Sequence, residues 1–211
     1  MPFNASTTPF IHPTPFTDPA FADAMAVRIE VFVKEQGVPE ENEKDEFDQG
    51  SMHWVVYASI PRVSPPSSSS SQRKDRHAID GTTSASELSQ NRTPVGTIRL
   101  IPPPVSKKPY VLLGRLAVLK PFRTLGLGKL LVQEALRYAE AEGSAGRFDS
   151  PSEGIKWDGK CYIHAQTSAH GWWARNGFYL DDAEEWDEEG IPHVGMWRDI
   201  VLERRRGSIM I

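Results

Sequence analysis

The chain has 211 residues, 39% of them hydrophobic and 25% charged, with a formal net charge of -4, and at this length one core can bury most of what the unfolded chain exposes. A lone cysteine, Cys161, excludes an intramolecular disulfide and a thiolate metal cluster and favours a reducing, cytoplasmic setting. No window approaches the roughly 18 uncharged apolar residues of a membrane helix, the start lacks the basic and then apolar plan of a signal peptide, and the negative balance gives no overall pull toward nucleic acid.

Residues 1–17 carry four prolines and no periodicity, which predicts an extended segment lying over the surface. Asp18-Pro19 has the form of a helix start, a capping carboxylate followed by a proline that needs no hydrogen-bond acceptor. Phe21, Met25, Ile29 and Phe32 then recur at helical spacing, predicting a helix that ends near Gly37. Seven acids follow between Glu35 and Asp48, on a predicted loop or short helix.

His53 to Ile60 and Val95 to Ile101 have strand composition. The stretch between them, 61–94, holds nine serines and almost no large apolar side chain, which predicts a disordered insertion in a hairpin. Tyr110 to Leu119 is a nearly unbroken apolar run, expected as a buried central strand. Leu130, Leu131, Ala135, Tyr138 and Ala139 mark an amphipathic helix ending at Gly143. Lys160 to Gln166 is a further strand, Ala169 to Asn176 a short helix, and Tyr179-Leu180 and His193 to Trp197 the last strands, around the acidic segment 181–189. The order predicts a single α/β domain over 1–211, a mixed sheet with helices on both faces.

Between the central strand and the long helix stands Arg123-x-x-Gly126-x-Gly128. Free amides at the helix start can meet one anionic group there, glycines let the backbone come close, and Arg123 can brace the turn or meet phosphate. A Walker loop would need glycine at 123 and Ser or Thr at 130, where Arg123 and Leu130 stand, and a dinucleotide fingerprint would need a small residue in place of Leu131.

Strand, RxxGxG and helix, then Gln166-x-x-Ala169-x-x-Trp172-Trp173-x-x-x-Gly177-Phe178, resembles the GNAT superfamily of N-acetyltransferases. Val31 to Gln36, Pro39, Glu43-x-Asp45-x-x-Asp48, Gly96-x-x-Arg99, and Gly190 to His193 with Met196 look like its ElaA-like branch. The resemblance implies a splayed central sheet and acetyl-CoA as co-substrate, with no metal. It also implies pantetheine pairing at Leu116, Ala117 and Val118, and a pyrophosphate on the turn of Arg123, Thr124, Leu125, Gly126, Leu127, Gly128 and Lys129. The oxyanion would meet a backbone N–H of a bulged strand near Val118. Where many members carry a tyrosine that protonates the leaving thiolate, this chain has Trp173, which would border the cofactor but supplies no proton usefully.

The expected reaction is direct attack of a primary amine on acetyl-CoA in a ternary complex, and the amine must first lose its proton. His193 is a candidate base or else a structural histidine, whereas His53 and His164 read as ordinary strand residues. Glu35, Asp45 and Asp48 either orient the amine or pass its proton through water, with Glu35 among the expected catalytic residues, or form a solvated face. Arg99 and Arg115 either grip an anionic part of the acceptor or sit on the sheet surface. With seven acids also in 181–189, both expected acceptor walls are acidic, which points to a small cationic amine or amino sugar. The expected partner is therefore a small molecule, not nucleic acid or membrane, and the protein a monomer or homodimer. The rival reading is a catalytically weak acyl-CoA-binding regulatory protein.

Overall fold

A computed structural model describes residues 9–59, 92–182 and 184–203. Its eight strands form one mixed sheet in the order β1-β2-β3-β4-β5-β8-β6, with β7 pairing to β8. The proline-rich start is not merely laid over the surface. Its Phe10–Pro15 is strand β1, paired antiparallel with β2 (Met52–Ser59) from Phe10 opposite Tyr57 to Pro15 opposite Met52. An edge strand tolerates Pro13 and Pro15 because one side of its backbone needs no partner. Residues 1–8 lie outside the described residues, as do 60–91 of the serine-rich stretch, while Arg92 to Pro94 already belong to β3 (Arg92–Ile101).

Helix α1 (Phe21–Arg28) starts two residues later than Asp18-Pro19 suggests: Ala20 heads it without a side-chain cap, and the Asp18 carboxylate accepts the Ala20 amide at 2.8 Å in the turn before it. It continues over Ile29–Glu35 as a π-helix, in which the Gln36 amide reaches back to the Val31 carbonyl at 3.1 Å, and a left-handed Gly37 closes it. Such wide turns redirect side chains; here Val31 packs on Val27 and Ala117, while Phe32 and Gln36 border a cleft. After a single turn, α2 (Pro103–Ser106), comes β4 (Val111–Val118), then the long helix α3 (Leu127–Ser144), β5 (Lys160–Gln166) and α4 (His170–Arg175). Strands β6 (Tyr179–Leu180), β7 (Trp186–Glu188) and β8 (Ile191–Asp199) complete the sheet.

Strand alternation sends Trp54, Val56, Ile98 and Leu100 into the main core with Leu131, Val132, Ala135 and Ala139 of α3. Ala117 points the other way, onto α1. The two long helical segments therefore cover opposite faces. Cys161 lies fully buried in the main core, and burial pushes its thiol well up. Among the described residues, no helix is long and apolar enough to cross a membrane.

Two irregularities shape the centre. Parallel pairing of β4 with β5 covers only Val111 with Cys161, Leu112 with Tyr162, and Leu113 with Ile163. Beyond it β4 follows β3 and β5 follows β8, so the strands part. On the other side of β4 the register jumps from Thr97 opposite Ala117 to Arg99 opposite Gly114, which places one extra residue in β4, and Arg115 has φ of 53°. The bulge thus sits at Arg115 and Leu116, upstream of the expected position near Val118.

The acidic segment also holds a strand that composition hid. Trp186–Glu188 forms a hairpin with β8 through Glu189 and Gly190, with φ of 57° and 77°, and two successive residues at positive φ match the twist of an antiparallel pair.

Candidate active site

The parting strands enclose a cleft of about 620 Å³. Leu116 and Val118 of β4 line one side, His164 and Gln166 of β5 the other, and Phe32 and Gln36 of the π-turn lie above them. The Gln166 side-chain amide donates to the Gln36 side-chain oxygen at 3.0 Å, holding the π-turn against β5.

One end of the cleft is the turn entering α3. Lys120–Leu125 is a 3-10 segment, and Gly126, with φ of 73°, heads α3 without a side-chain cap. The first amides of a helix have no acceptor within it, and its first backbone bond here is Leu130 N–H to the Gly126 carbonyl at 3.2 Å. A Cβ at position 126 would meet nothing within 4 Å, so an anion has room to approach. Gly126, Gly128 and Lys129 border the cleft, whereas Leu127 turns into the core and the side chains of Thr124 and Leu125 are exposed elsewhere.

Arg123 takes the bracing role. It donates from Nε to the Val118 carbonyl at 2.9 Å and forks onto both oxygens of Glu35 at 2.7 and 2.6 Å. The Glu35 carboxylate is thus engaged by Arg123, whose hydrogen bonds hold it below the usual range, and it does not line the cleft.

The other expected acceptor ligands neutralise one another. Arg28, fully buried, donates to Glu43 at 2.5 Å and to Asp48 at 2.8 Å. Arg99 donates to Asp45 at 2.6 Å and to Asp48 at 2.7 Å, and Arg115 reaches Asp45 at 3.3 Å. Burial alone would raise the Asp48 carboxyl, but the hydrogen bonds and charges of Arg28 and Arg99 outweigh it and hold the group at about 2. Asp48 thus stands behind the wall and cannot touch a ligand, while Asp45, Arg99 and Arg115 border the cleft already paired. His53 donates from Nε2 to the Asp48 carbonyl at 3.1 Å, and burial pushes it down to about 4, which keeps it neutral.

The last wall is the β7–β8 hairpin. His193 is buried beside the cleft with Nδ1 2.8 Å from the Ile191 carbonyl, a contact in which Nδ1 donates. His164 joins it on the cleft, its Nδ1 2.9 Å from Oε2 of Glu188. That hydrogen bond from His164 holds Glu188 down to about 2 despite its burial. Asn42 donates to Glu189 at 2.9 Å, joining the loop after the π-turn to the hairpin. Trp173 lies against Trp172 and Phe178, each at 5.0 Å between ring centroids, and both tryptophans border the cleft. Among the described residues lining the cleft, none carries a hydroxyl or a thiol.

The model of the Acetyltransferase (GNAT) family matches residues 39–150. The chain is 32% identical over 177 residues to the uncharacterized N-acetyltransferase YjcF of Bacillus subtilis (strain 168), covering 84% of this chain and 91% of that one. The crystal structure of Escherichia coli ElaA superposes with a TM-score of 0.60 at 17% identity, over 91% of this chain and 100% of that one. N-acetylglutamate synthase from Neisseria gonorrhoeae, complexed with coenzyme A and N-acetyl-glutamate, superposes with a TM-score of 0.51 at 12% identity, over 93% of this chain and 36% of that one.

Proposed function

The chain belongs to the acetyltransferase (GNAT) family, whose members move acetyl from acetyl-CoA, and from that premise we propose that it acetylates the primary amine of a small cationic acceptor by direct attack in a ternary complex. The observation that carries this reading is the parting of β4 and β5 beyond Leu113 and Ile163, with the uncapped start of α3 at the same cleft. Pantetheine would lie along Leu116 to Val118, and the pyrophosphate would meet the first amides of α3 with Lys129 beside it. A backbone N–H at the Arg115–Leu116 bulge would face the developing oxyanion.

The lining supports direct attack. Among the described lining residues there is no hydroxyl or thiol on which an acetyl ester or thioester intermediate would form. The charge of the acceptor end supports a cation. Glu43, Asp45, Glu188 and Glu189 face Arg99 and Arg115 there, leaving two carboxylates in excess, and behind that wall Arg28 and Asp48 cancel.

Incubation with acetyl-CoA and a panel of spermidine, glucosamine, lysinamide and glutamate, followed by free thiol release, tests the reading. Turnover of the cationic amines is expected, with kcat/KM falling as salt rises because exposed charges are screened beyond about 10 Å at 0.1 M. Preferential turnover of glutamate would overturn the acceptor class. Acetyl-CoA binding with no thiol release on any amine would instead support the regulatory reading, for which the replacement of a proton-donating tyrosine by Trp173 is the motivating observation.

A further inference from the structure

The geometry points to His164 as the general base that takes the proton of the attacking amine, with Glu188 as the residue that orients it. This rests on the acetyl-transfer reading above and names the proton path within it. Alternation along β5 sends Ile163 and Ala165 into the core and presents His164 and Gln166 to the cleft. His164 is also the first β5 residue past the last β4–β5 pair, so its imidazole stands where the strands begin to part. Gly114, the first unpaired residue on the β4 side, borders the same cleft and would place a Cβ in open space, and the bulge follows immediately.

The imidazole is held on three sides. Nδ1 donates to Glu188 at 2.9 Å, while the ring meets Trp186 edge-on at 5.0 Å and Tyr162 edge-on at 5.6 Å. Trp186 Nε1 donates to the same carboxylate oxygen at 3.3 Å, which fixes the acceptor as well. A carboxylate on Nδ1 selects the tautomer that leaves the Nε2 lone pair free, and it stabilises the imidazolium once a proton arrives. His193 has only a peptide carbonyl on its Nδ1 and lacks that support.

In the step itself, a proton passes from the amine nitrogen to Nε2 of His164 as the nitrogen bonds to the thioester carbon. The carbon–sulfur bond then breaks, sulfur leaves with the electron pair as thiolate, and the imidazolium returns its proton to that sulfur. With no hydroxyl or thiol among the described lining residues, one ring serves as base and then as acid. This accounts for a cleft in which Trp173 occupies the place of the family's tyrosine. The charged and titratable groups facing His164 are Glu188 on β7, His193 on β8, Tyr162 on β5 with Asp181 on its hydroxyl at 3.1 Å, and, across the cleft, Arg115 on β4 with Glu43 and Asp45.

The test compares His164→Gln, Glu188→Gln and His193→Gln with the unaltered protein on the amine panel, reading coenzyme A affinity and the pH dependence of kcat/KM. Coenzyme A affinity is expected to hold in H164Q while kcat falls about 100-fold and the acid limb of the profile disappears. E188Q is expected to keep the limb but move it to lower pH, because an imidazolium without its carboxylate gives up its proton more readily. H193Q is expected to keep the limb in place. An H164Q profile matching the unaltered protein, or a limb lost in H193Q instead, would overturn the assignment while leaving acetyl transfer standing. Absence of thiol release from the unaltered protein on every amine would bring down both.

Discussion

Gly126→Glu is expected to weaken coenzyme A binding by about 10³-fold while leaving the protein folded. Position 126 has φ of 73°, and a Cβ there meets nothing within 4 Å, so the side chain would enter the cleft and not the core. The left-handed backbone costs an L-residue about 1–2 kcal/mol, and a carboxylate at the start of α3 offsets part of this through the helix dipole. Binding suffers far more. A carboxylate about 4 Å from a phosphate, at an effective dielectric of about 20, repels it by about 4 kcal/mol. Gly126→Ala carries the strain without the charge and should lose under about 10-fold. Titration calorimetry with coenzyme A on both variants checks the pair, and unaltered affinity in G126E would show that the pyrophosphate is held elsewhere.

Asp48→Ala should destabilise the fold by about 3–5 kcal/mol, because removing one partner of a buried ion pair strands the other's charge. Arg28 has no exposure and Arg99 only 4%, and both donate to Asp48, so neither can turn to water for compensation. The expected readout is a lowered urea midpoint with an unchanged slope. The same carboxylate sets an acid limit. Its pKa falls from 3.8 in the unfolded chain to about 2 in the fold, so its contribution is complete above about pH 4 and drains away as the pH drops toward 2. A depression of nearly two units corresponds to about 2 kcal/mol. Acid titration of stability should therefore be shallower in D48A than in the unaltered protein between pH 4 and 2, and equal slopes would refute the pairing.

How far the sequence reveals this molecule depends on whether the deciding contacts are local. Lys160 to Gln166 matches its strand residue for residue, since a short apolar run ending at a helix start needs nothing from elsewhere. The turn at Gly126 and the stop at Gly177, with φ of 84°, were equally legible, because left-handed backbone selects glycine. Phe10–Pro15 was not, since its prolines argue against a strand until an edge is available to accept them. Trp186–Glu188 was masked by its acids, of which Asp187 faces solvent while Glu188 turns to the cleft. At the site the sequence supplied the right residue types but not their pairing. Arg99 finds Asp48 across 51 positions and Arg115 finds Asp45 across 70, and Glu35 is claimed by Arg123 across 88. His164 was set aside because alternation cannot distinguish a strand face lining a cleft from one facing open solvent.

Cys161, the chain's one cysteine, is enclosed between β4 and β8 with no surface accessible to solvent. Chromogenic disulfide reagents should consequently report only sulfhydryl released from the co-substrate, with no background from native protein, and alkylating agents should leave catalysis intact. Denaturant would expose one further equivalent, making that sulfur a built-in reporter of global opening.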